Sequence, residues 1–256
     1  MRILVCVKFV PSAADEVRTD ENHNLIRDGV AHQLNVADES AVELALRLRG
    51  DGTVTVMTMG KAGLEDGLRE LLARSVDEAV LLTDRRFAGA DTYATAKTLA
   101  KAVRILGDFD FILCGRRAVD GETGQVPAEL AAMLGLKCVT NVTAVSCQNG
   151  DEGWLRCSRL VEDGTLELLV PLGTVVTLCE YSCVLRNAGI KGMREARKKQ
   201  VQVLSADDLG ISREECGLNG SLTRVVHVKR QMAGRRHVQM VKSAGELAKR
   251  LREETV

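Results

Sequence analysis

The chain has 256 residues, of which 45% are hydrophobic and 27% are charged, a composition typical of a soluble globular protein with room for one α/β domain and an extension. Lys plus Arg and Asp plus Glu both total 35, so the formal net charge is zero, which argues against a nucleic-acid-binding protein. No apolar run reaches the roughly 18 residues that span a bilayer, so we expect no membrane insertion.

The eight cysteines and four histidines form no recognisable ligand pattern. There is no CxxC pair, and no histidine stands beside the closest cysteine pair, Cys179 and Cys183. Reduced cysteines packed as small hydrophobic residues are therefore favoured over a zinc site or a disulfide framework. We expect a cytoplasmic chain without metal ligands.

The first half alternates apolar runs with helical patterns. Strands are predicted at 2–7, 53–59, 78–83 and 109–114, and helices at 35–49, 62–74, 91–106 and 124–134. Asn35 and Asp91 are the predicted N-caps of two of these helices, and the polar stretch 10–34 is expected to contain a hairpin tip at 20–24. Continuous apolar strands separated by helices predict a parallel sheet with helices on both faces.

The pattern changes in the second half. Strand-like segments at 139–148, 154–161 and 166–178 are separated by turn residues at 149–150 and 163–164, which predicts an antiparallel extension. Residues 186–199 are basic and lack clear periodicity, and a final helix is predicted at 244–251. We therefore expect an α/β domain with its extension at 1–185, and at 186–256 an arm that needs another surface to pack on.

Candidate ligand contacts lie at the predicted strand ends, because open parallel sheets bind ligands beyond the carboxyl ends of their strands. Such ends are predicted at 6–8 (Cys6 to Lys8), at Met59 and Gly60, at 83–84, and at 114–116. The last of these leads into a loop that runs directly into a helix.

This loop, residues 117–126, is the first candidate site. Its glycines allow close backbone approach, Thr123 could cap the following helix, and the free amides near Gly124–Val126 could bind phosphate. Asp120 could accept from a ribose hydroxyl. The residues alone leave an ordinary solvated loop equally open.

The second candidate is the loop 84–92, which also joins a strand end to a helix start. On spacing alone an ordinary βα connection is the simpler interpretation. A short basic cluster at 194–199 is either a solvated helix face or a docking surface for an acidic partner.

Catalytic motifs are missing from the sequence. There is no GxGxxG after the first strand, no P-loop, no HExxH and no Ser-His-Asp or paired-carboxylate pattern. General acid–base catalysis is therefore not expected, whereas binding of a redox cofactor that carries its own chemistry is compatible with these absences.

Several segments, taken together and in order, resemble electron transfer flavoprotein beta subunits. They are ILVCVK at 3–8, NVADESAVE at 35–43, DFILCGRRAVDGETGQV at 110–126, RNAGIKGM at 186–193 and ADDLG at 206–210. The resemblance runs from residue 1 to about residue 211 and returns in the final helix.

The resemblance implies a heterodimer on a Rossmann-like, adenine-nucleotide-binding fold. The large (alpha) subunit holds one FAD, and the beta subunit holds a second nucleotide: structural AMP in the housekeeping class, or FAD that oxidises NADH in the electron-bifurcating class. No catalytic side chain is implied, so enzymatic activity depends on the class. The implied cofactor-binding residues are Cys6, Asn35, Asp38, Met59, Gly60, Asp84, Phe87, Ala90, Asp91, Thr92, Cys114, Gly115, Arg116, Asp120, Gly121, Glu122, Thr123, Gly124, Gln125 and Val126.

The compact loop 120–125 resembles the flavin-binding class, because the housekeeping pattern has a longer insert before its Thr-Gly-Gln. Arg186, Ile190 and Met193 lie in the segment that docks a partner flavoprotein dehydrogenase such as an acyl-CoA dehydrogenase in this family. Leu-Arg-Asn-Ala at 185–188 replaces the usual Pro-Arg-Tyr-Pro, and Ile190 replaces the family's anchoring leucine. Two alternatives remain: a housekeeping carrier with AMP, and a stand-alone nucleotide-binding regulator resembling universal stress proteins, which are about half as long.

Overall fold

A computed structural model describes residues 1–12, 18–19, 25–26, 31–146, 153–226 and 240–254. Its strands are β1 (Ile3–Cys6), β2 (Phe9–Pro11), β3 (Arg18–Thr19), β4 (Leu25–Ile26), β5 (His32–Leu34), β6 (Val54–Met59), β7 (Glu78–Leu82), β8 (Phe111–Gly115), β9 (Lys137–Ser146), β10 (Trp154–Val161), β11 (Gly164–Pro171), β12 (Thr174–Leu178) and β13 (Gln202–Leu204). Its helices are α1 (Val36–Leu48), α2 (Glu65–Ala73), α3 (Thr92–Leu106), α4 (Val126–Leu134), α5 (Ile190–Ala196), α6 (Gly217–Gly220) and α7 (Ala244–Glu254).

Among the described residues, nine strands form one sheet in the order β11-β10-β9-β12-β8-β1-β6-β7-β13. The strands from β9 to β13 in this order pair in parallel, whereas β10 is antiparallel to both β9 and β11. The prediction of a parallel sheet with an antiparallel extension is therefore confirmed.

Both faces of the sheet are covered, which explains the continuous apolar strands. Val54 and Val56 pack with α1 and α2 on one face, whereas Leu4 and Met57 pack with α3 and α4 on the other. Consecutive residues along a strand, which point to opposite faces of the sheet, are therefore both buried. The core consists of two apolar layers, one on each face.

One predicted strand is wrong. The segment 166–178 was expected to be a single antiparallel strand, but it divides at Pro171-Leu172-Gly173 into β11 and β12. Gly173 has a left-handed φ of 72°, which breaks the extended run. β12 then lies inside the parallel sheet, between β8 and β9.

The segment after residue 186 contains more regular structure than its sequence predicts. α5 forms where no periodicity is visible, and β13 extends the sheet beside β7. Chain contacts divide the protein into two units, Met1–Arg224 and Val225–Val256, and α7 is the described helix of the second. That the arm from residue 186 packs on a large subunit stays a prediction, and the hairpin tip at 20–24 lies outside the described residues.

Candidate functional site

The candidate site lies at the carboxyl ends of the central parallel strands. β1 stands between β6 and β8; the chain continues from β1 through α1 to β6 on one side, and β8 flanks β1 on the other. Strand order therefore reverses between β1 and β8, where open α/β sheets bind ligands. Cys6 pairs with Cys114 at this point, and Met59 ends the adjacent β6, so the structure brings three predicted residues together.

The first turn of α1 lies against this reversal point. The buried Asp38 carboxylate accepts hydrogen bonds from the Lys8 amide at 2.7 Å and the Gly115 amide at 3.0 Å. Asn35 is the N-cap residue, as predicted, but its side chain does not cap the helix. Instead, its Nδ2 donates to the Arg117 carbonyl at 2.9 Å.

Burial raises the pKa of Asp38 to about 7, although the amides of Lys8 and Gly115 favour its ionised form. Cys114 is also buried, and the neighbouring Cys6 thiol and burial together raise the pKa of its thiol. Both groups thus favour their neutral forms more than ordinary aspartate and cysteine side chains do.

The β8–α4 loop, residues 116–125, is held by ion pairs. Lys8 Nζ lies 2.7 Å from Asp120 Oδ1, and Glu180, beyond the end of β12, pairs with Arg116 at 2.9 Å and with Arg117 at 3.3 Å. These contacts join the loop to the ends of β1 and β12 and bring three cations to it.

The loop ends at the N-terminus of α4, where one prediction is wrong. Thr123 does not cap the helix: Gln125 is the N-cap residue, and no side chain caps it. Gly124 takes a left-handed φ of 63°, which turns the chain into the helix. The first-turn amides of Val126 and Ala128 therefore have no intrahelical acceptor, as an anion-binding helix N-terminus requires.

The carboxylates of the second loop, residues 84–91, accept hydrogen bonds from groups of the protein itself. Arg86 forms a bidentate ion pair with Asp84. The hydrogen bonds from Arg86 hold the pKa of Asp84 well below its usual range. Asp91 caps α3 as predicted, accepting from the Ala94 amide at 2.9 Å. Its second oxygen accepts from the amide and hydroxyl of Thr223 at 2.8 and 2.9 Å.

The two loops meet at Thr92, whose hydroxyl lies 3.3 Å from Gln125 Oε1 and 3.0 Å from Glu129 Oε1. Phe87 is buried in the core beneath its loop, and Ala90 is half-buried. Gly121 and Glu122 are exposed at the tip of the β8–α4 loop, and Gly60 follows β6 with its amide bonded to the Leu82 carbonyl.

The predicted docking residues lie apart from this edge, and they differ in role. Arg186 Nε and Nη2 lie 2.9 and 3.1 Å from the two oxygens of the buried Glu43, so Arg186 anchors its segment to α1. Burial raises the pKa of Glu43, but hydrogen bonds from Arg186 and Arg47 outweigh this and lower it to about 2. Ile190 and Met193 on α5 are 71% and 46% exposed.

Lys8 belongs to the first predicted strand end, although no role was assigned to its side chain, and it contacts the loop as an ion-pair partner of Asp120. Glu180 and Thr223 also contact the site but were not predicted from the sequence. Glu180 closely follows a buried strand, and a charged residue at the carboxyl end of such a strand is a signal that could have found it. Thr223 offers no such signal, because its position depends on how the chain returns over the loop 84–91.

The helix N-terminus and the cations at this edge are groups that could bind an anionic ligand. Within the described ranges, no group of three or more His, Cys, Asp or Glu side chains could hold a metal ion. A cavity of about 570 Å³ beside Phe9, Leu34 and Arg74 contains none of the predicted site residues. No helix in the described part of the chain has the length and apolar character needed to cross a membrane.

Comparisons with known proteins point to one family. The family "Electron transfer flavoprotein domain" matches residues 23–209. The electron transfer flavoprotein subunit beta of Thermoanaerobacterium thermosaccharolyticum is 45% identical over 230 residues, which are 88% of this chain and 86% of the relative. The caffeyl-CoA reductase-Etf complex subunit CarD of Acetobacterium woodii is 39% identical over 229 residues, with the same coverage of each chain.

A third relative is the acryloyl-CoA reductase electron transfer subunit gamma of Anaerotignum propionicum, 35% identical over 234 residues, again 88% of this chain and 86% of the relative. The family match spans the parallel strands from β6 to β13, the β8–α4 loop and α5. This chain therefore belongs to the electron transfer flavoprotein family, as a beta-type subunit.

Proposed function

We propose that the chain binds FAD at the carboxyl edge of its sheet and passes electrons from NADH, by bifurcation, to the FAD of a large subunit and to a partner flavoprotein dehydrogenase. The observation that carries this proposal is the compact β8–α4 loop, which reaches α4 through the left-handed Gly124 and leaves the helix N-terminus without a side-chain cap.

The residues present suit a dinucleotide. The amides of Val126 and Ala128 supply donors for a pyrophosphate, and the Lys8 ammonium, which is paired with Asp120, stands at the same loop. The chemistry that a bound FAD supplies is acceptance of a hydride from NADH and its division into single electrons. The protein's part is to bind and orient: Lys8 and Glu180 hold the loop, and Thr92 joins it to the loop 84–91.

The names of two relatives support the proposed partner. They describe subunits of a caffeyl-CoA reductase-Etf complex and of an acryloyl-CoA reductase, and both names specify a reductase of an acyl-CoA compound. A dehydrogenase or reductase of an acyl-CoA thioester is therefore the proposed partner class.

A housekeeping carrier with AMP is the second candidate, and one observation favours it. Asp84 and Asp91 already have their acceptors occupied by Arg86, Ala94 and Thr223. A nucleotide that ends at its first phosphate and never reaches the loop 84–91 would leave these bonds intact.

Extraction of the cofactors decides between the two. The purified heterodimer is denatured with acid and its nucleotides are separated by chromatography. We expect two FAD per heterodimer, with NADH bleaching the flavin absorbance of the intact complex. One FAD and one AMP would reject bifurcation and leave the housekeeping carrier.

A further inference from the structure

The N-terminal turn of α1 contacts the three backbone segments that surround the strand-order reversal. Asp38 joins the Lys8 amide, after β1, to the Gly115 amide, at the end of β8. The Asn35 amide donates to the Lys8 carbonyl at 2.9 Å. One helical turn thus fixes the ends of both strands relative to each other.

Asn35 extends the same contact into the β8–α4 loop. Its amide group donates to the Arg117 carbonyl at 2.9 Å, and its Oδ1 accepts from the Val119 amide at 3.2 Å. The side chain that would ordinarily cap α1 is used to shape this loop. We call Asn35 and Asp38 the anchor pair.

Gly115 shows how closely the anchor pair fits. A Cβ atom at this position would lie 2.1 Å from Asp38 Oδ1 and 2.8 Å from the Ala37 Cβ. Only glycine allows the carboxylate to approach the end of β8, so the close approach requires residue 115 and residue 38 together.

Both residues of the anchor pair are buried, and their polar atoms contact backbone. Asn35 is 1% exposed and Asp38 is 5% exposed, and both carboxylate oxygens of Asp38 already accept backbone amides. A group so placed acts on a ligand through the backbone that it holds.

We propose that Asn35 and Asp38, which the family resemblance implies as cofactor-binding residues, act as positioning residues whose side chains set the β8–α4 loop for nucleotide binding from behind. The inference rests on the proposed nucleotide site, and it holds for FAD and AMP alike. Without the anchor pair, the atoms that bind the nucleotide are present but displaced. Nucleotide affinity therefore falls by more than the loss of thermal stability accounts for.

The first measurement is hydrogen–deuterium exchange on the heterodimer, resolved to single amides, for wild type and Asp38→Asn. Asparagine offers one carbonyl oxygen in place of two carboxylate oxygens, so its NH2 group faces one of the two amide donors. We expect exchange of the Lys8 or Gly115 amide to accelerate at least about tenfold, because a buried amide without an acceptor opens more readily. Unchanged exchange at both amides would overturn the proposal.

The second measurement is titration of the heterodimer, freed of nucleotide at this site, with AMP and with FAD by calorimetry. The control is Ser40→Ala: Ser40 is buried on the same helix, but its hydroxyl contacts the backbone of Cys183 at 3.3 Å. We expect Asp38→Asn to weaken binding of the nucleotide about tenfold, and Ser40→Ala to change it less than twofold. A merely structural role would weaken both variants in proportion to their loss of thermal stability.

The outcomes separate this proposal from the one on which it rests. If wild type binds neither AMP nor FAD, the nucleotide site itself is wrong and the inference fails with it. If wild type binds and Asp38→Asn binds equally well, the inference alone fails. If Asp38→Asn gives no folded heterodimer, the near-isosteric variant Asn35→Asp is titrated in its place. Its carboxylate cannot donate to the Arg117 carbonyl, so we expect weaker binding. Binding as tight as that of wild type would overturn the proposal.

Discussion

Two glycines at opposite ends of α4 allow the effect of backbone strain to be distinguished from an effect on ligand binding. Gly124 and Gly135 have similar left-handed φ angles of 63° and 70°, so alanine is strained at both, by about 1 kcal/mol. A Cβ at 135 meets no atom within 4 Å, whereas one at 124 lies 3.2 Å from the Arg116 carbonyl. The two positions therefore share the backbone strain and differ in the contact that a Cβ makes with the backbone of the β8–α4 loop.

We predict that Gly124→Ala lowers the nucleotide content of the purified heterodimer at least fivefold, whereas Gly135→Ala leaves it near wild type with a similar loss of thermal stability. Nucleotide per heterodimer after acid extraction is the measurement. Equal nucleotide content in the two variants would show that Gly124 does not shape a phosphate site.

The ion pair of Glu43 and Arg186 predicts an acid-sensitive stability. The folded-state pKa of Glu43, about 2, is below the usual value of 4.5, so the pair stabilises the fold above pH 4.5 and this contribution is lost as pH falls toward 2. Because Arg186 is partly exposed, we expect about 1–2 kcal/mol. Arg186→Gln should lower the thermal midpoint of the heterodimer at pH 7 and flatten its decline between pH 5 and 3.

Lys198→Gln is the control for this change, because Lys198 pairs with Glu195 on the surface, where an ion pair contributes little. A pH dependence as steep in Arg186→Gln as in wild type would contradict the assigned role of Glu43.

A contact of a single residue can be predicted from the sequence when its partner is near in the chain, and not when the partner is distant. The cap at Asp91 is a contact over three residues and was predicted correctly. The cap at Thr123 was not, because the left-handed Gly124 moves the helix start to Val126. The side chain of Asn35 bonds a loop more than eighty residues away, and no local pattern reveals such a partner.

At the scale of elements, burial on both faces of the sheet made the parallel strands recognisable, since β8 is apolar throughout and β6 interrupts its apolar residues only with Thr55 and Thr58. β12 was missed because only the short Pro171–Gly173 break separates it from β11, and both segments are rich in strand formers. α5 was missed because it is short and packs closely through Gly192, whose hypothetical Cβ would lie 2.1 Å from the Ala73 carbonyl. A glycine contact leaves no apolar periodicity to detect.

α5 carries a prediction about docking. Ile190 is 71% exposed at its first turn, and an apolar side chain of this size contributes roughly 1–3 kcal/mol when a partner buries it. Ile190→Ala should therefore lower electron transfer to the partner dehydrogenase about tenfold or more, with flavin content unchanged.

Ile105 provides the matched control, since it is 50% exposed at the end of α3, on the opposite face of the sheet. Ile105→Ala should leave the kinetics with the acceptor unchanged. Equal effects of the two substitutions, or none of either, would show that α5 does not dock through Ile190.

At the scale of the whole molecule, the antiparallel extension buries only one of its faces. Leu155, Cys157 and Val170 belong to the core, whereas alternate residues of the same strands, Trp154 and Leu169, are 45% and 52% exposed. An exposed apolar face of this kind marks an interaction surface. A stand-alone regulator would have no use for it, whereas a subunit of a heterodimer would.

We therefore predict that Leu169→Lys disrupts assembly with the large subunit. Leu169 stands opposite Arg156 in the hairpin, so a lysine there places a second cation on a surface that assembly should bury, which costs both apolar contact and desolvation. Copurification of the two subunits at equal proportion, measured by size-exclusion chromatography with mass detection, should fall at least tenfold at micromolar concentration. Ile105→Lys introduces the same charge on a helix of the parallel domain and should leave assembly intact. Full assembly of Leu169→Lys, or a wild-type chain that stays a folded monomer beside the large subunit, would refute this use of the extension.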